Sequence, residues 1–123
     1  MIVNVIENDL DLTFAALADP TRRRVVELLR TQPRRASELA EATDMSRPAL
    51  SRHLKVLRDS RLVDVELLED DARGRVYRLR SERFTDLQAW LDQIQAYWSE
   101  QLDAFKDHAE LTRRSAEKTR RPR

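Results

Sequence analysis

No cysteine occurs in the chain, which excludes disulfides, thiolate metal sites and thiol redox sensing together. A single glycine, Gly74, rules out the Gly-x-Gly-x-x-Gly and Gly-x-x-x-x-Gly-Lys phosphate cradles, which need bare backbone at several positions. Two histidines, His53 and His108, are thin material for a transition-metal centre. No apolar run approaches the roughly 18 residues of a membrane span, and the opening residues lack the basic stretch and cleavage pattern of an export signal. The expectation is a cytoplasmic chain with no membrane partner, no metal, no cofactor and no nucleotide-dependent chemistry.

What is present is charge, 37% of 123 residues, beside 41% hydrophobic residues. That balance describes a charged globular domain rather than a disordered chain. The net charge of +1 conceals a separation. Residues 112–123 hold six basic residues and one acidic, leaving 17 basic against 21 acidic in residues 1–111. A uniformly basic nucleic-acid binder is excluded, so any DNA contact by the body needs a local basic face. The division predicted is one domain over 1–111 and a basic, disordered, solvated tail over 112–123.

Helical periodicity dominates. A first helix is expected over about residues 9–17, with Leu10, Phe14 and Leu17 on one side. Asp19-Pro20 starts a second, because Asp is a good N-cap and Pro suits the first helical position. Its apolar side is Val25, Val26, Leu28 and Leu29, and Gln32-Pro33 ends it, since a residue before proline disfavours the helical region. A short third helix over 36–42 buries Leu39 and Ala40; Thr43-Asp44-Met45 turns, Ser46 caps, and a fourth helix runs to about Ser60. Two short helices about a three-residue turn match a helix-turn-helix. Val63, Val65 and Leu67 then alternate, and a turn through Asp70, Asp71 and Gly74 leads to a return strand over 76–80. Gly74 is expected to supply positive φ at that tip. A long last helix reaches about Leu111. The fold class is mostly α with a β-hairpin wing.

On a helical wheel at roughly 100° per residue, Leu50, Leu54 and Leu57 of the fourth helix share one narrow sector. Arg47, Pro48, Ser51, Arg52, Lys55, Arg58 and Asp59 fill the adjoining one. A helix of about 10–12 Å diameter fits the major groove; Arg pairs bidentately with guanine edges, and Ser and Lys reach bases or phosphates. For an isolated helix, a solvated charged face is the better account. Its place behind a short helix and tight turn, and ahead of a basic hairpin, favours DNA. His53 lies beside the apolar sector and reads as a partly buried packing residue. The hairpin adds Arg73 and Arg75, with Tyr77 beside them, as phosphate or minor-groove contacts; a charged edge that discourages strand association is the alternative.

The last helix repeats Phe84, Leu87, Leu91, Ile94, Trp98, Leu102 and Phe105 on one stripe over about 30 Å long, flanked by Trp90 and Tyr97. A body of this size cannot cover it all, and an exposed stripe this long would aggregate. A second copy is the economical partner, with Leu10 and Phe14 of the first helix joining the dimer face. No recognisable motif sets a histidine near a Ser–Asp pair, so an enzyme is not supported. A protein-interaction module and a small-molecule-responsive regulator remain as alternative readings, with any effector unidentified.

The runs FAALADPTRR (14–23), SELA (37–40) and SRPALSRHLKVL (46–57), followed by Leu62-Val63, resemble the arsenic-repressor-type (ArsR) winged helix-turn-helix regulators over roughly residues 10–110. Tyr77-Arg78-Leu79 and the Trp90-Leu91, Trp98, Leu102 helix look like one subgroup. The resemblance implies a homodimer that dimerises through its terminal helices and binds a partly palindromic double-stranded operator, usually as a repressor, with Arg47, Pro48, Ser51 and Arg52 facing the bases. The family's cysteine-containing metal box is replaced by Ala36-Ser37-Glu38-Leu39, and Asp103 and His108 lack the second histidine of its other metal site. Asp44 and Arg61 stand where the family often has glycine; a left-handed backbone at Arg61 costs about 1–2 kcal/mol.

Overall fold

One side chain sets the first corner. In the computed structural model, which describes residues 2–67 and 74–120, helices α1 (Ile2–Leu17) and α2 (Pro20–Thr31) meet at Asp19. Asp19 Oδ1 accepts from the N–H groups of Thr21 at 2.8 Å and Arg22 at 3.1 Å, and Pro20 fills the next place, where no N–H is needed. Arg22 and Arg23 turn backwards. Arg22 donates from Nε to Ala16 O at 2.6 Å and from Nη2 to Ala15 O at 3.1 Å; Arg23 donates to Leu17 O and Ala18 O. Two guanidiniums thus satisfy the orphan carbonyls that close α1, at the end where positive charge is favoured.

α1 begins earlier than the sequence suggests. Thr13 and Ala16 face the core and are buried, with Leu17 packed against it, whereas Phe14, expected on the dimer face, is 43% exposed. Thr13 is tolerated there because its hydroxyl donates to Asp9 O within the helix. α2 runs to Thr31 as expected and buries Val25 and Leu29.

The two-residue strand β1 (Arg34–Arg35) follows, which periodicity does not predict. α3 (Ala36–Thr43) and α4 (Arg47–Asp59) form the helix-turn-helix. Ser46 Oγ accepts from Ala49 N–H, the N-cap the sequence announces. Both α3 and α4 close the same way. Met45 N–H reaches Ala40 O and Asp44 N–H reaches Glu41 O; Leu62 N–H reaches Leu57 O and Arg61 N–H reaches Arg58 O. These are paired Schellman bonds, which demand a left-handed residue. Asp44 and Arg61 supply it, with φ of 55° and 61°.

Strands β2 (Val63–Leu67) and β3 (Arg75–Leu79) pair antiparallel, with Val65 opposite Tyr77, and β1 pairs with the other edge of β3, giving the order β1-β3-β2. The wing is therefore three-stranded. No glycine among the described residues has positive φ; Gly74 is buried just ahead of Arg75. Asp70, Asp71 and Arg73 lie outside the described residues. Val25, Leu29, Leu39, Leu50, Leu57 and Leu62 join Tyr77 in one core, with Phe84 packed against it.

α5 runs from Glu82 to Arg120. The helix continues nine residues past Leu111, through most of the stretch expected to be disordered, with Arg114 bonded to Glu110 one turn earlier. The backbone divides into two units, Met1–Leu87 and Gln88–Arg123. In the second, residues 88–119 are all exposed.

Candidate nucleic-acid interface

α4 is held from below by Leu50, Leu54 and Leu57, each at most 3% exposed, and it packs on α2, α3 and β2. With those leucines fixed, helix geometry directs Arg47, Pro48, Ser51, Arg52, Lys55 and Arg58 outward, and all six are exposed. Ser46 is exposed too, but its oxygen already serves as the cap.

Which cations are committed matters more than how many there are. Arg22, Arg23 and Arg34 bond backbone carbonyls. Arg78 pairs with Glu66 across the wing. Arg47, Arg52, Arg58 and Arg75, by contrast, make no hydrogen bond or ion pair with any described residue. Lys55 meets Asp59 at 2.7 Å, but the pair is over 60% exposed, so breaking it costs little.

The fold brings Arg75 to α4. An open cleft between the helix and the wing is lined by Ser51, Arg52 and Arg58 on one side and by Arg75 and Arg80 on the other. Asp59 and Asp64 also line it, which limits where an anion can rest. Tyr77, expected among the contact residues, is 7% exposed and belongs to the core; its ring is packing at the cleft wall rather than a projecting contact. Arg73 lies outside the described residues. A second concavity joins Arg47 and Arg75 to Arg35 and Ser37. Sequence reading missed these last two: Arg35 is placed there by the pairing of the two-residue β1 with β3, which shows no periodicity, and Ser37 follows it in the first turn of α3.

His53 is partly buried, as expected, but its company is polar. Nδ1 lies 3.2 Å from Arg22 Nη1 and 3.9 Å from Asp19 Oδ1. The Arg22 N–H, with the Thr21 N–H and the Arg22 charge beside it, holds the Asp19 carboxyl below the usual range. On α5, Leu91, Ile94, Trp98, Leu102 and Phe105 are 42–70% exposed, while Leu87 is half-buried. The residues present do not fit a transition-metal centre: among the described residues, no three His, Asp or Glu side chains gather closely enough to hold an ion. No helix among them is long and apolar enough to cross a membrane.

Residues 19–65 match the family model described as "Bacterial regulatory protein, arsR family". The chain is 40% identical over 97 residues to the HTH-type transcriptional regulator Rv2034 of Mycobacterium tuberculosis, covering 77% of this chain and 83% of that protein. It is 31% identical over 80 residues to the transcriptional repressor SdpR of Bacillus subtilis, covering 63% and 83%. An ArsR-like transcriptional regulator from Rhodococcus sp. RHA1 superposes with a TM-score of 0.72 at 31% identity, covering 89% of this chain and 97% of that one. From the capped helix-turn-helix to the wing and the long last helix, the chain belongs to the ArsR family of winged helix-turn-helix transcriptional regulators.

Proposed function

We propose that the protein is a cytoplasmic, homodimeric repressor that binds a partly palindromic DNA operator, seating α4 of each subunit in the major groove and the wing beside it. The observation that carries this reading is the set of arginines with no bond to any described residue, Arg47, Arg52, Arg58 and Arg75, on one side of α4 and the two concavities beside it. Desolvated guanidinium donors need acceptors, and guanine edges and phosphates supply them. Arg47, Ser51 and Arg52 act as base readers; Lys55, Arg58 and Arg75 act on the backbone. The exposed stripe of α5 supports a second copy as partner, since apolar side chains at helical spacing over roughly 20 Å are costly to leave in water. Two copies also present two reading helices, which a site repeated one DNA turn apart requires. The relative named a repressor favours that sign of regulation.

Selection of bound DNA from a random pool, followed by gel shifts, tests the reading. Arg52→Ala should weaken binding to the selected site by roughly 5- to 150-fold, the equivalent of about 1–3 kcal/mol, and relax preference at one position of each half-site. No change on either selected or random DNA would overturn it.

A further inference from the structure

The arc of α4 opposite its basic face is tethered by one bond that packing alone does not explain. Leu50, Leu54 and Leu57 occupy a sector of about 60°, so they fix the depth of α4 in the core while leaving rotation about its own axis to flanking contacts. One flank is the open basic cleft. His53 lies on the other, its side chain 20% exposed, with Nδ1 at 3.2 Å from Arg22 Nη1.

Arg22 is not a loose partner. Nε and Nη2 are bonded to Ala16 O and Ala15 O, so one edge of the planar guanidinium is clamped at two points before Nη1 meets the ring. Arg has donors only and stays charged. Nδ1 of His53 is therefore the acceptor, which puts the ring proton on Nε2. Asp19 Oδ1, at 3.9 Å from Nδ1, is too distant to be a hydrogen-bond partner. It caps α2 through Thr21 and Arg22 N–H, holding the start of the helix that carries the guanidinium.

We infer that Arg22 is a positioning residue for the DNA-reading helix: it locks the roll of α4 to the end of α1 through His53 Nδ1. The inference rests on the reading of α4 as the DNA-contacting helix. Binding sites tolerate displacement of only about 0.5 Å or 10–20°, so a small roll moves Arg47, Ser51 and Arg52 off their base edges while leaving phosphate contact nearly intact. Arg22 thereby supports specificity without touching DNA. It also ties α4 to α1, whose exposed Phe14 lies one residue before the carbonyls that Arg22 grips.

Two measurements on the full chain test this. Long-range ¹H–¹⁵N spectra of the DNA-free protein should show Nδ1 of His53 without a proton, and Arg22→Lys should shift both ring nitrogens. A proton on Nδ1 overturns the inference, whatever DNA does. Gel shifts then compare Arg22→Lys, His53→Leu and His53→Asn on selected and random DNA, at a temperature where melting curves show each fully folded. Lys keeps the charge but cannot span three acceptors, so Arg22→Lys and His53→Leu should each lose about tenfold on the selected site and under twofold on random DNA. His53→Asn, whose Oδ1 replaces Nδ1 as acceptor, should recover most of that loss. Equal losses on both DNAs with a shallower salt dependence make Arg22 a phosphate contact; unchanged affinity with a lowered melting temperature makes it merely structural. Either result overturns the inference. Failure of the wild type to select any sequence defeats the proposed function instead, and the ring spectra still decide whether the lock exists.

Discussion

Replacing Arg61 with glycine should stabilise the protein, although it adds no contact. Arg61 has φ of 61°, a left-handed conformation that costs a residue with a Cβ about 1–2 kcal/mol. It persists because the bonds Arg61 N–H to Arg58 O and Leu62 N–H to Leu57 O close α4, and because Leu57 and Leu62, both fully buried, meet where such a closure places an apolar pair. Those bonds are backbone bonds, and glycine keeps them. Against the relieved strain stands the greater freedom glycine loses on folding, about 0.5–1 kcal/mol. The net gain is roughly 0.5–1 kcal/mol, which for a chain of this size raises Tm by roughly 2–5 °C. Circular dichroism melts at one fixed protein concentration measure it, since self-association makes Tm concentration-dependent. Arg61→Ala is the control: it removes the charge and keeps the Cβ, so its Tm should stay near wild type. If Arg61→Gly melts no higher than Arg61→Ala, the backbone at this corner is not strained and the reasoning fails.

Two further perturbations probe the corner at Asp19 and the stripe on α5. Asp19→Ala should destabilise by about 1 kcal/mol at neutral pH, as lost N-caps do. The Arg22 N–H lowers the Asp19 pKa in the folded state; the carboxylate's contribution is therefore complete above its ordinary value of about 3.9 and disappears as pH falls through the lower folded value. Urea titrations should show the gap between wild type and variant narrowing on acidification; a gap that widens instead contradicts the assignment. Ile94→Glu places like charges on the proposed dimer face, where each buried carboxylate costs several kcal/mol. Sedimentation should find a monomer and gel shifts only non-specific affinity, and a folded variant with unchanged mass and operator binding refutes the dimer reading.

The elements legible in the sequence are those whose ends are set by neighbouring residues. Asp19-Pro20 and Gln32-Pro33 bracket α2, and Ser46 opens α4, because capping is settled within one turn of chain. β1 was illegible for the converse reason. Its two residues exist as a strand only by pairing with Tyr77 and Val76, more than forty positions away. The left-handed corners fall at Asp44 and Arg61, where paired closing bonds and buried neighbours override local preference. The end of α5 misled through charge. Residues 112–120 hold five ionised side chains, but Ala, Glu, Lys and Arg are also good helix formers, and a helix already under way needs no new nucleus to continue.

At the interface, the wheel finds the basic arc of α4 because three buried leucines fix its phase. It cannot rank the cations, because a charge in a sequence carries no record of what it bonds. Arg22, Arg23, Arg34 and Arg78 look as available on paper as Arg47 or Arg52, yet each is engaged by a carbonyl or carboxylate of the same chain. Residues 1–111 carry a net negative charge, so long-range attraction to DNA is weak and the local arrangement must carry recognition. What makes that arrangement effective is the division between the two sets. On the proposed reading, Arg22 and Arg23 build the corner behind α4, and the arginines with no bond to any described residue stand on the surface that corner aims. Exchanging a member of one set for the other would leave the charge total unchanged and should weaken binding to the selected DNA by removing either the proposed reading surface or its support.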